Sequence, residues 1–333
     1  MPGEGCDSPG CSGGISPLPD GVARPFWSVM IPTYNPSLEY LEQVIQSVLE
    51  QGVEPGQMQI ELVDDHSSDF DGESFVRRIG DTRVSFHRHR QRLGMAGNWN
   101  ACIQRARGRW IHIMHQDDLI LEGFYRSLRT GIEEYPGVGA AFTQLIFIDG
   151  DGKKLHDNQP TQMLSGILMD WPEHVYVALK IQCPAIVVKR TVYEVLGGFD
   201  PSFAYCMDWD MWKRIAANFP IWHDPAPLAC YRAHAASTTA ELTRAARIMA
   251  EFRRSIDATS RYLPASIAPE VARREKRHLT LDAVSIASRC LLHNRNPALA
   301  LIQLWQARRI SSSLEVVKCL FVKAKWAWRR RYG

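Results

Sequence analysis

Short apolar runs alternate with amphipathic segments over residues 26–135, and this alternation restricts the folds open to the chain. The runs typical of buried strands are WSVMIP, MQIELV, RVSFHR and RWIHIM. Between them lie segments with apolar residues at helical spacing, such as SLEYLEQVIQSVLEQG, which Ser37 can cap and Gly52 can end. Strands that alternate with helices indicate βαβ units. We therefore expect an α/β fold, with a mostly parallel sheet flanked by helices.

Polar residues stand at the ends of three of the four predicted strands. The turn PTYN follows the first strand, Asp64-Asp65 ends the second, and Asp117-Asp118 comes shortly after the fourth. Sheets of this kind bind ligands at the carboxyl ends of their strands. We therefore expect the functional site at that edge of the sheet.

The adjacent carboxylates Asp117 and Asp118 repel one another and destabilise a fold unless something offsets their charge. A divalent cation would offset it, and oxygen ligands favour Mg²⁺ or Mn²⁺. The alternative is a solvated acidic turn at the start of the next helix, where negative charge is favourable. The Asp64-Asp65 pair repeats the arrangement at a second strand end, which favours the cation.

Two further motifs contain ionisable side chains. In FAYCMDWDMWKRI, Asp208 lies among aromatic residues that can raise its pKa, which suits a general base. The alternative is that Asp208 only caps the following helix. In CYRAHAAS, Arg232 and His234 share one face of an extended segment. Such a pair fits a diphosphate, and the alternative is a basic pair on the surface.

Composition and missing motifs exclude several classes of protein. Lys and Arg number 39 against 36 Asp and Glu, an excess too small to indicate nucleic-acid binding. No G-x-G-x-x-G follows a strand, and the motifs G-x-x-x-x-G-K-[ST] and G-x-S-x-G are missing. This argues against a dinucleotide dehydrogenase, a P-loop NTPase and an α/β-hydrolase. The eight cysteines form no C-x-x-C pair, and we expect buried free thiols.

The chain is predicted to have three parts. Residues 1–25 are rich in Gly, Pro and Ser and are expected to be a disordered leader. Residues 26–240 form the α/β domain, and residues 241–333 form a helical extension. The sequence has neither a membrane-spanning run nor a secretory signal, so the expected location is the cytoplasm. The basic, Trp-containing end, SLEVVKCLFVKAKWAWRRRYG, either lies on the inner face of the plasma membrane or docks on the domain.

Taken in order, the motifs VMIPTYN, ELVDDHSSD, RLGMAGNWNACIQRARGRWIHIMHQDD, MDWDMWKRIA and YRAHAAS resemble those of the family 2 glycosyltransferases of the GT-A fold. The resemblance covers residues 27–238. It implies a Rossmann-like nucleotide-diphospho-sugar transferase fold and sugar transfer with inversion from a UDP, dTDP or GDP sugar. The Gln-x-x-Arg-Trp signature of processive members is missing, so we expect transfer of one sugar. A glycan or lipid-linked acceptor in bacterial surface-polysaccharide or glycolipid assembly would fit the basic tail.

The resemblance also implies roles for residues of this chain. Asp208 is the expected catalytic base. A Mg²⁺ or Mn²⁺ ion is expected to bind Asp117, Asp118 and His234. The residues expected to contact the nucleotide-sugar are Pro32, Thr33, Tyr34, Asn35, Asp65, Asn98, Asp117 and Arg232.

The chain departs from the family pattern at the metal motif. Relatives often have Asp-x-Asp-Asp there, whereas this chain has His115-Gln116-Asp117-Asp118. The replaced carboxylate supports a second hypothesis, a non-catalytic GT-A-fold protein that binds nucleotides or glycans. His112 and His115 are three residues apart on the apparent fourth strand, and we expect core or turn positions for them rather than zinc ligation.

Overall fold

The computed structural model describes residues 14–54, 56–158, 161–178, 180–234, 248–292 and 297–311, together with Lys318. Of these, the residues up to 169 and those from 181 to 233 form one compact unit. Residues 170–180 and those from His234 onward form a second. The predicted domain boundary between residues 240 and 241 lies outside the described residues and stays a prediction. So does the predicted basic tail, apart from Lys318.

The first unit is built on one mixed sheet. Its strands in the described chain are β1 (Trp27–Thr33), β2 (Met58–Asp64), β3 (Val84–Arg88), β4 (Trp110–Ile113), β5 (Leu119–Ile120), β6 (Ala140–Ile148), β7 (Lys154–Asp157), β8 (Gly166–Ile167), β9 (Ile186–Lys189) and β10 (Ile221–Arg232). The order is β3-β2-β1-β4-β9-β6-β10-β5, with β7 paired to β6 and β8 to β10. β1 to β4, β6 and β10 run in one direction, and the others run against them. The predicted α/β fold is confirmed.

Helices flank this sheet. They are α1 (Leu38–Leu49), α2 (Gly72–Ile79), α3 (Gly94–Arg105), α4 (Phe124–Glu134), α5 (Arg190–Leu196) and α6 (Met207–Asn218). The predicted cap of α1 is confirmed, since the Ser37 side chain accepts a hydrogen bond from the Tyr40 amide. The buried face of α1, which includes Leu41 and Ile45, packs into the same core as the apolar side chains of β1 and β2.

The ordered part of the first unit begins before Phe26, so the expectation of a disordered leader over residues 1–25 is corrected from Gly14 onward. The Ile15 side chain is 4% exposed. The buried Arg190 guanidinium donates a hydrogen bond to the Ser16 carbonyl. An apolar side chain and one backbone carbonyl thus attach this segment to the domain.

The second unit contains the helices predicted for the C-terminal region. They are α7 (Ile248–Tyr262), α8 (Ala268–Leu292) and α9 (Pro297–Ile310), and a π-helical turn at Pro172–Val177 belongs with them. Within the described residues, no helix combines the length and the apolarity needed to cross a bilayer. The described cysteines, Cys102, Cys183, Cys206, Cys230 and Cys290, are buried free thiols, as expected.

Candidate active site

The carboxyl ends of β1, β2 and β4 meet at one edge of the sheet, as the sequence predicts. Thr33 at the end of β1 pairs in register with Asp64 at the end of β2. The Asp65 amide then donates to the Thr33 carbonyl, and the Met114 amide beyond β4 donates to the Met30 carbonyl. Parallel pairing therefore brings the PTYN turn and both acidic pairs to this edge. Pro32 and Thr33 are buried within β1.

Protein hydrogen bonds satisfy the acidic pair at the end of β2. Asp64 is fully buried and accepts hydrogen bonds from Thr33 Oγ1 at 3.2 Å and the Ser67 amide at 3.0 Å. Asp65 accepts from the amides of Leu93 at 2.6 Å and Gly94 at 2.9 Å, where the start of α3 favours negative charge. The argument that this pair also indicates a cation is therefore wrong.

Tyr34 presents an aromatic surface at the end of β1. It is 38% exposed, and the Arg92 guanidinium lies over its ring, 4.0 Å from the centroid. The Gln116 side chain bonds to both backbone groups of Tyr34: Oε1 accepts from the amide at 2.8 Å, and Nε2 donates to the carbonyl at 3.3 Å. Asn35 adopts a left-handed conformation, with φ of 43°, and its Oδ1 accepts from the Ser68 amide.

The surroundings of Asn98 do not agree with the predicted contact between this residue and the nucleotide-sugar. Its side chain is buried in α3. Nδ2 donates to the Val63 carbonyl at 3.0 Å, and Oδ1 lies 3.1 Å from His89 Nε2. Asn98 therefore joins α3 to the ends of β2 and β3 with both of its polar atoms.

Arg232 ends β10 and is 2% exposed. Its Nε donates to the Asp117 carbonyl at 2.8 Å, Nη1 to the Gly150 carbonyl at 2.9 Å, and Nη2 to Gln43 Oε1 at 2.7 Å. Its backbone amide donates to Asp118 Oδ1 at 2.8 Å. The expectation that Arg232 meets a diphosphate is corrected: its guanidinium is buried against the protein and holds the acidic turn in place.

The turn between β4 and β5 brings together His115, Asp117 and Asp118, whose potential ligand atoms all lie within 4.8 Å of one another. The Asp118 carboxyl is 1% exposed, and its Oδ2 lies 3.0 Å from His115 Nδ1. Burial raises the pKa of Asp118, while the hydrogen bond with His115 opposes this shift. We call these three residues the cation turn.

His115 and His112 differ because β4 is shorter than the apolar run indicates. β4 ends at Ile113, so His115 lies in the turn. His112 is a core residue, as predicted: Nδ1 lies 2.8 Å from the Tyr125 hydroxyl, and Nε2 lies 3.1 Å from the Pro184 carbonyl. Burial lowers the pKa of His112 to about 3, which keeps the imidazole neutral.

Asp208 lies in the first turn of α6, and the N-cap is Cys206, so the alternative that Asp208 caps the helix is wrong. Its Oδ1 accepts from the Trp209 amide at 2.7 Å. Burial raises the pKa of Asp208 to about 6, and the nearby His115 opposes this shift. Asp208 therefore adjoins the cation turn. His234 belongs to the second unit, and its role as a ligand stays a prediction.

Sequence reasoning missed several residues around the cation turn. The Trp99 ring lies against the His115 ring, with centroids 5.0 Å apart. The buried Cys183 thiol is close to His115, and burial raises its pKa to about 11. Burial lowers the pKa of His115, yet Cys183 and Asp118 raise it above its ordinary value. One signal in the sequence could have drawn attention to His115. It stands where relatives often have the first acidic residue of the metal motif.

With this geometry described, comparison with known proteins identifies the family. The family model for glycosyl transferase family 2 matches residues 28–189. An uncharacterized glycosyltransferase from Methanocaldococcus jannaschii is 26% identical over 199 residues, which are 59% of this chain and 66% of the relative. The chain belongs to glycosyltransferase family 2. As a member of this family, it is an enzyme that uses a nucleotide-sugar.

A further relative and two solved structures are also similar to this chain. An uncharacterized protein from Mycobacterium tuberculosis is 31% identical over 253 residues, covering 71% of this glycosyltransferase and 74% of the relative. Among solved structures, the fold is similar to that of the mannosyltransferase PcManGT from Pyrobaculum calidifontis. The TM-score is 0.59 at 20% identity, over 93% of this chain and 82% of that one. It is also similar to TarS 1–349 from S. aureus, with a TM-score of 0.58 at 12% identity, over 86% and 90% of the two chains. The GT-A fold predicted from the motifs is confirmed.

Proposed function

We propose that this family 2 glycosyltransferase transfers one sugar, with inversion, from a nucleotide-diphosphate sugar to an acceptor hydroxyl, assisted by Mg²⁺ or Mn²⁺. The observation that supports this most is Asp208, a buried carboxyl beside the cation turn with a pKa raised to about 6. A general base is most effective when its pKa lies near the working pH. Asp208 has this property at the edge of the sheet where such folds bind ligands.

In the proposed reaction, Asp208 accepts the proton of the acceptor hydroxyl. The acceptor oxygen then forms a bond to the anomeric carbon from the face opposite the diphosphate. The bond between that carbon and the diphosphate oxygen breaks, and the nucleoside diphosphate leaves with the electron pair. One displacement of this kind inverts the anomeric configuration.

The donor set of the cation turn suits a divalent cation. Asp117 and Asp118 offer carboxylate oxygens, and His115 adds a ring nitrogen. His115 Nδ1 lies 3.0 Å from Asp118 Oδ2, so one ring nitrogen is within reach of a cation held by the two carboxylates. A bound cation would neutralise charge on the diphosphate leaving group. We retain His234 as a proposed further ligand.

The nucleotide is proposed to bind along the ends of β1 and β2. Tyr34 and Arg92 offer a stacked aromatic and guanidinium surface, and Thr33, Asn35 and Asp65 line the adjoining turns. The structural neighbours support a nucleotide-sugar donor: PcManGT was solved with GDP-Man and Mn²⁺, and TarS 1–349 with UDP-GlcNAc. UDP, dTDP and GDP sugars are therefore the donors to test.

The first experiment is a calorimetric titration of UDP, dTDP and GDP sugars with Mn²⁺ and with EDTA. The wild type, Asp117→Asn and a control, Asp151→Asn, are compared, because Asp151 is an exposed carboxylate outside the cation turn. We expect one nucleotide to bind tightly with Mn²⁺ to the wild type and the control only. Equal binding in EDTA would remove the cation from the proposal, and binding by no donor would remove the donor site.

We also propose a lipid-linked acceptor at the inner face of the plasma membrane, consistent with bacterial surface-polysaccharide or glycolipid assembly. The support is the sequence of the tail, where basic residues accompany Trp326 and Trp328. Co-sedimentation with anionic vesicles tests this on the full chain. Replacing the lysines and arginines from Lys318 onward by glutamine should abolish vesicle binding, and unchanged binding would contradict membrane contact through the tail.

A further inference from the structure

His115 occupies a fixed position in the cation turn. Its Nδ1 lies 3.0 Å from Asp118 Oδ2, and its ring packs against Trp99. The His115 side chain is 22% exposed, and the Cys183 thiol adjoins it. A side chain held on several sides is pre-organised as a ligand, because little conformational entropy remains to be lost when a cation binds.

The two nitrogens of the ring have different surroundings. Nδ1 contacts Asp118, Nε2 is buried with no nitrogen or oxygen partner, and the ring also interacts with the Cys183 thiol. A buried polar atom without a partner costs free energy, so such an atom calls for an explanation. Coordination of a cation by one ring nitrogen, with the other left toward the Cys183 thiol, would give both nitrogens a partner.

We propose that His115 is a ligand of the catalytic cation and makes the site select Mn²⁺ over Mg²⁺. This inference rests on the proposed metal-assisted function. Mg²⁺ is a hard ion that retains oxygen ligands and water, whereas imidazole nitrogen binds first-row transition ions more readily. A turn with one imidazole nitrogen and two carboxylates should therefore favour Mn²⁺ over Mg²⁺ more strongly than a turn with carboxylates only.

The alternative is that His115 only orients Asp118 through the hydrogen bond between them. This alternative predicts that His115 remains outside the coordination shell when the cation binds. The two predictions differ in a spectroscopic property of the bound ion, which can be measured without turnover.

The test adds Mn²⁺ to the full-length protein and measures binding from the loss of the free-ion electron paramagnetic resonance signal. Pulsed measurements then detect nitrogen hyperfine coupling to bound Mn²⁺, and Mg²⁺ is titrated in competition. The variants are His115→Asp, which restores an all-carboxylate turn, and His66→Asn. His66 is an exposed histidine at the same sheet edge with φ of 60°, a conformation that Asn tolerates.

We expect nitrogen coupling of equal strength in the wild type and in His66→Asn, and a coupling weaker by one nitrogen in His115→Asp, where any remaining coupling comes from His234. We also expect Mg²⁺ to displace Mn²⁺ from His115→Asp at about tenfold lower concentration than from the wild type. Bound Mn²⁺ without nitrogen coupling in the wild type would overturn the inference and leave the proposed function standing. Coupling of unchanged strength in His115→Asp would assign the nitrogen to another ligand, such as His234, and also overturn it. Failure of the wild type to bind Mn²⁺, with and without UDP or GDP, would remove the metal-assisted function itself.

Discussion

Asp208 and Asp210 are two residues apart on α6, and their surroundings give them different chemistry. Asp210 forms an ion pair with Arg214, with Oδ2 2.9 Å from Nε. The hydrogen bond from the Trp209 amide to Asp208 does not offset the burial of its carboxyl, and its pKa rises to about 6. At the scale of single residues, Asp208 is therefore the one of the two that suits proton transfer.

The raised pKa of Asp208 predicts a pH profile for turnover. The base must be ionised to accept a proton, so kcat should be constant above pH 7 and fall about tenfold for each pH unit below about 6. Asp208→Asn should lose about 10²-fold to 10⁴-fold in kcat, the usual contribution of a general base. Initial rates over this pH range test both points. Asp200→Asn, a half-buried carboxylate in the preceding loop, should retain the wild-type profile.

The same carboxyl predicts a pH dependence of stability. The folded chain keeps the Asp208 proton up to about pH 6, whereas the ordinary value is 3.8, so the free energy of unfolding falls as the pH rises through this window. Two pKa units correspond to about 3 kcal/mol. We compare the free energy of unfolding of Asp208→Asn with that of the wild type at pH 4 and at pH 7.5. Between these values the difference should shift in favour of the variant by up to about 3 kcal/mol. Urea unfolding at the two pH values measures this, and an unchanged difference would contradict the raised pKa.

The acidic pairs illustrate how far single residues can be predicted. Both pairs were expected at strand ends, and both lie there. Their partners come from distant segments, the amides of Leu93 and Gly94 for Asp65 and the Arg232 amide for Asp118. Spacing along the chain does not encode such partners. Sequence reasoning therefore placed the acidic pairs at the strand ends but did not predict the contacts of Arg232.

At the scale of secondary structure, the elements with clear periodicity or caps were predictable, and the exceptions have physical causes. Ser37 caps α1 as expected. β4 ends at Ile113, although the fourth apolar run includes Met114. Met114 is buried outside the strand, so its apolar side chain does not mark a strand position. α8 includes the charged stretch at residues 268–282, whose few apolar side chains give a weak periodic signal. Ile15 is one apolar residue in a Gly-rich and Pro-rich leader, too little to predict burial.

Arg232 connects β10 to the cation turn, to the turn after β6 and to α1, so its substitution tests these elements together. Arg232→Lys keeps the charge but loses the fork of donors that reaches three acceptors. We expect a loss of about 2–4 kcal/mol in the free energy of unfolding, since buried partners are left unpaired. We also expect weaker Mn²⁺ binding.

The matched control for this prediction is Arg83→Lys. Arg83 pairs with Asp81 at the surface, where such a change should alter stability by less than about 0.5 kcal/mol. Urea unfolding and Mn²⁺ titration measure the two effects. If Arg232→Lys unfolds and binds Mn²⁺ as the wild type does, Arg232 does not hold the turn.

At the scale of the whole molecule, the described chain forms two compact units, and the residues of the candidate site, His234 apart, belong to the first. The sequence predicted the α/β domain and the helical C-terminal region as separate parts. It did not predict that residues 170–180, which come between β8 and β9 along the chain, belong to the same unit as the C-terminal helices. The assignment of a segment to one compact unit or the other depends on tertiary contacts, which a local sequence pattern does not encode.

Donor and cation binding should raise the thermal stability of the intact chain. A ligand that binds only the folded state stabilises it by about 2.7 kcal/mol at a concentration one hundred times its Kd. We expect the donor with Mn²⁺ to raise Tm by several degrees in the wild type and to have little effect in Asp117→Asn. Scanning calorimetry with the donor, with Mn²⁺ and with both measures this. An equal rise in Asp117→Asn would contradict a role of Asp117 in the site.

The two hydrogen bonds between Gln116 and the backbone of Tyr34 have a consequence for how the ligands influence one another. Gln116 belongs to the segment that contains the cation turn, and Tyr34 belongs to the aromatic surface proposed for the base. We expect a ligand that orders one segment to order the other as well, which would define a coupling free energy between the two proposed ligands. Such coupling is reciprocal: whatever factor the cation contributes to the affinity for the nucleotide, the nucleotide returns to the affinity for the cation. Neither ligand then needs to bind tightly alone for the pair to occupy the enzyme together.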